Sequence, residues 1–105
     1  MLVTTTENIP GKSILSTIGY VKGSSARARH AVADIFASFK NVLGGEIEEY
    51  SRLLQQTRDQ AVERMIADAE KQGGNAIICF RIESSTIAQG ASEVVAYGTA
   101  VVMEE

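Results

Sequence analysis

The sequence predicts an α+β fold in which an antiparallel β-sheet is packed by one long and one short helix. One observation is a segment over residues 47–72 that holds no Gly or Pro and repeats apolar residues at helical spacing. A second is a pair of C-terminal stretches, 75–87 and 92–103, that read as strands. A third is the length of 105 residues, which fits a single domain over 1–105.

The N-terminal region predicts two strands joined by a turn. Residues 2–6 are β-branched and rich in Thr, and residues 13–22 alternate apolar side chains. Pro10 and Gly11 supply the fixed φ and the positive φ that the centre of a type II turn requires. We expect the two strands to form a hairpin or a neighbouring pair, and the run Gly23-Ser24-Ser25 to end the second.

Two helices are predicted next. Apolar residues recur at spacings of three and four residues from about Ala26 to Leu43, which predicts a short helix. Gly44-Gly45 ends it. The long helix runs from about Ile47 to Gln72 and is followed by Gly73-Gly74, of which we expect one glycine to be left-handed. At about 1.5 Å per residue the long helix spans about 37 Å, enough to cover a whole sheet.

The last two strands carry the main structural expectation. In strand 92–103 the even positions are small, and we expect them to face the long helix; they are Val94, Ala96, Gly98, Ala100 and Val102. Its odd positions are also largely apolar. In strand 75–87, we assign Ile78, Phe80 and Ile82 to one face of the sheet. The other face holds Ile77 and Cys79 and becomes polar further along the strand, at Arg81 and Glu83.

An antiparallel sheet with helices on one face normally shows polar residues on the other. Because these two strands stay apolar on both faces, we expect a second copy of the chain to cover the second face, giving a homo-oligomer. The alternative is that the short helix covers it within one monomer.

Charge and composition exclude several classes of protein. Residues 1–45 sum to a charge of +3 and residues 46–105 to −6, and an acidic C-terminal half argues against wrapping nucleic acid. Aromatic residues are 6% of the chain and Trp is absent, which disfavours a base-stacking platform. No segment approaches the length of a membrane span. With Cys79 as the one cysteine, we expect a cytoplasmic protein without membrane insertion.

Few residues offer site chemistry. His30 precedes Asp34 by four residues on the predicted short helix, so the pair shares a face and could hold a metal; a solvated His in a polar contact is the competing interpretation. Cys79 lies in an apolar strand, where a buried inert thiol competes with a metal ligand. A metal site could be completed across subunits, since symmetry multiplies each ligand. No phosphate loop, nucleophile elbow or nucleophile–base spacing is present, so we expect a binding protein rather than an enzyme.

A set of short motifs in a specific order resembles the YbjQ-like family of small bacterial and archaeal proteins. They are Val3-Thr4-Thr5-Thr6, Gly23, Val42-Leu43-Gly44-Gly45, Tyr50, Gly73-Gly74-Asn75-Ala76-Ile77-Ile78 and Gly98-Thr99-Ala100-Val101. The resemblance covers nearly the whole chain. It implies an α+β fold likened to dodecin subunits, a homopentamer, and a family labelled as heavy-metal-binding but of uncharacterised function.

The chain departs from the family pattern at three places. Ala33-Asp34 replaces an Arg-Asp pair, so only Asp34 carries over, and Glu46 stands where the family shows Arg after its two glycines. The third strand has Arg81 and Glu83 where acidic residues are common. The departure in the third strand, where a basic residue replaces an acidic one, removes carboxylate oxygens that a hard metal ion would use as ligands.

The sequence therefore predicts a cytoplasmic homo-oligomeric protein, pentameric by resemblance, that binds a heavy metal or a small ligand. The metal-ligand candidates are His30, Asp34, Cys79 and Glu83. Two alternatives stay open. One is an enzyme with a site at subunit interfaces, built from Tyr50, His30 and Asp34, and the other is an interaction scaffold that presents the polar face of the long helix.

Overall fold

The computed structural model describes residues 1–28, 45–88 and 91–105. One helix, α1 (Gly45–Lys71), packs on a four-stranded sheet formed by β1 (Leu2–Val3), β2 (Ile14–Ala28), β3 (Ala76–Ala88) and β4 (Ala91–Met103). The strand order is β1-β3-β4-β2, with β1 parallel to β3 and the other pairs antiparallel. The α+β class is confirmed, but the sheet is mixed rather than antiparallel.

The predicted pairing of the two N-terminal strands is wrong. β1 pairs with β3 through Leu2 and Ala76, and β2 pairs with β4, so the two strands lie at opposite edges of the sheet. The turn between them is as predicted. The Lys12 amide donates to the Ile9 carbonyl at 3.2 Å, and Gly11 has a φ of 82° at the third turn position, where a type II turn needs a positive φ.

β2 does not stop at Gly23-Ser24-Ser25 but continues to Ala28, so the predicted break is wrong. The predicted short helix is also wrong over residues 26–28, which are strand; the rest of that prediction lies outside the described residues. Gly23 serves close packing instead. A Cβ there would collide with the Ala61 carbonyl oxygen and the Met65 amide nitrogen of α1, so only glycine lets the helix backbone approach this strand.

The long helix is confirmed, beginning at Gly45 and ending at Lys71 rather than at 47 and 72. Its end follows the predicted glycine cap. Gly73 has a φ of 93°, and the Gly74 amide donates to the Ala69 carbonyl at 2.9 Å. A left-handed residue followed by a bond back to the last turn is the usual way of satisfying the final helix carbonyls.

The core lies between α1 and the sheet. Its helical side is a single stripe of Ala61, Met65 and Ala69, all fully buried. The small residues Ala96 and Ala100 of β4 belong to the same cluster, which confirms that the even positions of the last strand face the helix. Val21 of β2 and Ile77 of β3 complete the cluster.

Polar side chains tie α1 to the edge strand β2. The Ser25 hydroxyl, 1% exposed, donates to Gln60 Oε1 at 2.5 Å. The Arg64 guanidinium donates to the Ser24 carbonyl at 2.5 Å, and the Lys22 amide donates to Asp68 Oδ2 at 3.3 Å. The helix thus satisfies backbone groups that an edge strand would otherwise leave open to another chain.

The second face of the sheet is covered at one end by the chain itself. Val101 and Met103 of β4 are buried, and Ile9 and Ile14 pack against their cluster. The chain thus covers this end of the face itself, and the expected homo-oligomer stays a prediction. Coverage by the predicted short helix lies outside the described residues.

Candidate functional site

A β-bulge in β3 decides which side chains share the second face. Ile78 pairs with Thr99 and Arg81 pairs with Tyr97, so two residues of β3, Cys79 and Phe80, stand opposite one residue of β4. Cys79 takes the left-handed conformation, with a φ of 55°. Because one extra residue reverses the alternation, every side chain after the bulge moves to the opposite face.

The predicted face assignment of β3 is wrong for this reason. Ile77 and Phe80 pack on the core against α1, whereas Ile78 packs in the second-face cluster with Cys79. After the bulge, Glu83 lies opposite Val95 on the second face. Regular alternation from Ile78 would have placed Glu83 on the helix side of the sheet.

The result is a shallow site on the second face, beyond the end that the chain covers itself. We call it the distal face and define it by Tyr20, Glu83, Ser85, Val95 and Tyr97, which line a cavity of about 270 Å³. The residues come from three adjacent strands. Tyr20 is 63% exposed, so an aromatic ring is presented to whatever occupies the cavity.

The polar centre of the distal face is one hydrogen bond. The Tyr97 hydroxyl donates to Glu83 Oε1 at 3.0 Å. This hydrogen bond, more than desolvation and the negative charge of Glu83, raises the pKa of Tyr97; the positive charge of Arg81 acts in the opposite direction. Tyr97 is thereby kept as a neutral donor that orients the carboxylate.

Two basic residues border the distal face. Arg81 pairs with Tyr97 in the sheet, but its Nη1 donates to the Thr5 carbonyl at 3.2 Å and to the Phe80 carbonyl at 2.7 Å. On the other side, Lys22 of β2 pairs with Tyr97 of β4 and is exposed. Arg81 is thus held by the N-terminal segment, while the Lys22 ammonium extends into solvent.

Of the four metal-ligand candidates, the structure describes Cys79 and Glu83. They stand on the same strand, and the rise of a β-strand separates residues four apart by about 13 Å, so the two do not form one site within a protomer. Cys79 is half-buried in the second-face cluster, and its amide donates to the Thr6 carbonyl at 3.1 Å. His30 and Asp34 lie outside the described residues.

Within residues 1–28, 45–88 and 91–105, no three His, Cys, Asp or Glu side chains converge as a metal site would require. The enzyme hypothesis cannot be compared with the structure either, since it depends on the side chains of His30, Asp34 and Tyr50, which lie outside the described part of the chain. The metal and enzyme hypotheses therefore stay predictions from the sequence.

A second cavity, of about 350 Å³, lies at the opposite end of the sheet and is lined in part by Lys12, Asn75 and Glu104. Two of its polar side chains, Asn75 and Glu104, hold the fold. Asn75 exchanges two hydrogen bonds with the Met103 backbone, at 2.8 and 2.9 Å, and Glu104 Oε1 accepts from the Ser13 amide at 3.0 Å. The distal face, whose carboxylate makes one hydrogen bond within the part of the chain that the structure describes, is the better candidate for binding.

Sequence reasoning named Glu83 but missed its two tyrosine neighbours. Tyr20 and Tyr97 were placed on strands without a role, because their proximity to Glu83 depends on the register and on the bulge. The available signal was Gly98, which lies opposite the bulge. A Cβ there would approach Ile77 Cγ2 to 2.7 Å, so a glycine inside an apolar strand marked a close backbone approach.

The helix in the described part of the chain is not long and apolar enough to span a membrane.

Comparison with known proteins identifies a family. A family model described as "Putative heavy-metal-binding" matches residues 1–104. A UPF0145 protein of Clostridioides difficile (strain 630) is 50% identical over 105 residues, which are 100% of this chain and 94% of the relative. A UPF0145 protein of Thermotoga petrophila is 48% identical over 105 residues, covering 100% of this chain and 99% of the relative.

A solved structure shares the fold. It is a protein of unknown function from Pediococcus pentosaceus ATCC 25745, described as belonging to the DUF74 family. The match has a TM-score of 0.65 at 18% sequence identity and covers 99% of this chain and 98% of that one. At this identity the likeness concerns the fold alone.

Proposed function

Because this chain belongs to the YbjQ-like family, which is described as heavy-metal-binding, we propose that it is a homo-oligomeric protein that binds a small ligand or a metal ion. Five subunits is the number implied by the resemblance of its motifs to that family. The description of the family supports binding as the function, and the shape of the protomer supports self-association.

The elongated shape of the protomer is the main observation that supports the proposed oligomer. Its radius of gyration is 17.1 Å and its extents are 55 × 27 × 19 Å. A compact domain of this length would have a radius of gyration of about 13 Å. An isolated chain of 105 residues has little core to support so elongated a sheet, whereas neighbouring copies would support it on both sides.

Exposed apolar side chains are consistent with packing between copies. Leu15 is 65% exposed, Leu54 is 40% exposed, and Ile82 is 37% exposed. They lie on three different elements, β2, α1 and β3. The charge difference between the two parts of the sequence, +3 for residues 1–45 and −6 for 46–105, favours contact between unlike surfaces of neighbouring copies. Contact between unlike surfaces generates a closed ring when the rotation closes, as a pentamer requires.

Sedimentation equilibrium of the untagged chain over a wide dilution series tests the oligomer. We expect a single species with a mass near five times the 11.3 kDa of the chain. A species of 11.3 kDa at all concentrations would refute the proposed assembly. A stable assembly of another number would retain self-association and refute only the number five.

Metal binding is the second part of the proposal, with His30, Asp34, Cys79 and Glu83 as the candidate ligands. Elemental analysis of protein purified without a His-tag, followed by titration with Zn²⁺ or Cu²⁺, tests it. We expect stoichiometric metal that is lost in Cys79→Ser and His30→Ala. Metal content at the background level in the wild-type chain would refute metal binding and leave small-ligand binding as the proposed function.

We also propose that the protein works in the cytoplasm, on the ground that its one cysteine, Cys79, has no partner for an intramolecular disulfide. Fractionation of the native host would test this, since recovery in an extracellular or periplasmic fraction would contradict it.

A further inference from the structure

We infer that the distal face is a binding site for a small organic cation, an alkylammonium or quaternary ammonium group. This inference gives a ligand class to the proposed small-ligand function and rests on it. It does not depend on the number of subunits, because Tyr20, Glu83, Ser85, Val95 and Tyr97 all come from one protomer.

The carboxylate supplies the charge. Glu83 Oε1 accepts from the Tyr97 hydroxyl at 3.0 Å, and among the described residues no donor contacts Oε2. A carboxylate held by one neutral donor and open on its other oxygen is oriented for a charge-assisted contact with an N–H⁺ group, or for a purely electrostatic contact with a quaternary nitrogen.

The two tyrosine rings supply the apolar and electrostatic surroundings. Tyr20 and Tyr97 line the same cavity together with Val95. Aromatic faces attract ammonium groups through the ring quadrupole, and aromatic side chains around one carboxylate are a common arrangement for binding methylated ammonium groups. The volume of about 270 Å³ is below that of sites for drug-sized ligands and suits a ligand of a few heavy atoms.

A metal ion fits the same residues less well. Among the described residues, one carboxylate and one protonated phenol are too few oxygen ligands for a hard cation, and none of the lining side chains is a thiol or imidazole for a soft one. An anion is disfavoured because Glu83 is the charged group among the described residues that line the cavity, while Arg81 donates to the Thr5 and Phe80 carbonyls. Lys22 is the basic side chain that would repel a bound cation.

Isothermal titration calorimetry of the full-length chain with choline tests the inference, against the neutral isostere in which carbon replaces the ammonium nitrogen. We expect saturable binding of choline at one site per protomer and at least about tenfold weaker binding of the isostere. Butyrate and Zn²⁺ serve as the anionic and metal probes.

Four variants connect the binding to this site. Glu83→Gln should weaken choline binding about tenfold, and Tyr20→Leu about threefold. Lys22→Gln should strengthen it about twofold, because it removes a like charge. Glu70→Gln, the same charge change on the exposed surface of α1, is the matched control and should leave binding unchanged.

Equal binding of choline and its isostere would overturn the inference, as would displacement of bound choline by butyrate or Zn²⁺ at equal concentration, or unchanged choline binding in Glu83→Gln. No binding of any probe would overturn it as well. The oligomeric mass is measured on the same sample, so failure of the cation site in an intact oligomer refutes this inference alone. A monomer that binds choline refutes the proposed assembly alone.

Discussion

The hydrogen bond between Tyr97 and Glu83 gives the distal face a property that can be measured without knowing the ligand. A neutral phenol donates to the carboxylate, whereas a phenolate could not and would be repelled by it. The pKa of Tyr97 is raised for that reason. The ionisation of this one tyrosine therefore reports whether the two side chains meet in solution.

Glu83→Gln should lower the pKa of Tyr97 towards its ordinary value, because the amide carries no charge and is a weaker acceptor than the carboxylate. An ultraviolet absorbance titration of tyrosinate formation measures the change. Tyr97→Phe identifies which transition belongs to Tyr97 among the three tyrosines of the chain. An unaltered Tyr97 transition in Glu83→Gln would contradict the hydrogen bond.

Gly23→Ala should destabilise the fold by about 3 kcal/mol. The added Cβ would meet backbone atoms of Ala61 and Met65, and a helix backbone cannot move aside as a flexible side chain can. Urea unfolding followed by circular dichroism measures the loss. Ser24→Ala, on the neighbouring position and the opposite face of β2, should change stability by less than about 0.5 kcal/mol. Equal stability of the two variants would show that α1 does not pack on Gly23.

At the scale of elements, the contact between α1 and β2 depends on a buried polar pair. Ser25 is almost fully buried, and its hydroxyl is satisfied by Gln60. Removing one partner leaves the other without its hydrogen bond in the packed interface, whereas removing both leaves an apolar contact.

Gln60→Leu and Ser25→Ala should each destabilise the chain by about 1–2 kcal/mol, and the double variant by less than their sum. Chemical unfolding of the four proteins gives the coupling free energy between the two side chains. We expect a coupling of about 1 kcal/mol. Strict additivity would indicate that the two side chains do not meet.

The elements that follow from local chemistry were predicted from the sequence. Three of them are the Pro10-Gly11 turn, the helical spacing of apolar residues in the long helix and the glycine cap at Gly73. Each depends on residues close in sequence, whose preferred φ and spacing are characteristic. The small face of β4 was predicted because alternation is also a local pattern.

Long-range pairing could not be predicted in the same way. The parallel contact between Leu2 and Ala76 joins residues far apart in sequence, and the two-residue strand has no pattern that specifies a partner. The bulge at Cys79 breaks the alternation on which face assignment depends, and a non-glycine residue with a positive φ gives no signal in the sequence. Gly23 predicts a strand break from the sequence, because its contact with α1 is made only in the folded chain. The distal face was missed for the same reason.

The whole molecule is an elongated protomer with a candidate binding site on its sheet. The long axis of 55 Å and the radius of gyration of 17.1 Å describe a chain whose sheet extends beyond a small core. One end of the second face is covered by Ile9 and Ile14, while the distal face remains accessible at Tyr20. In the proposed assembly, association between copies would support the sheet, while the distal face is built from one protomer.

The central claim is that this chain works as a homo-oligomer that holds a small ligand or metal. Native mass spectrometry of the protein, purified without a tag, measures subunit number and bound mass in one spectrum. We expect a pentamer that retains a ligand or metal in stoichiometric amount, or that takes up choline when choline is added. A monomer that carries nothing and takes up neither choline nor Zn²⁺ would contradict it.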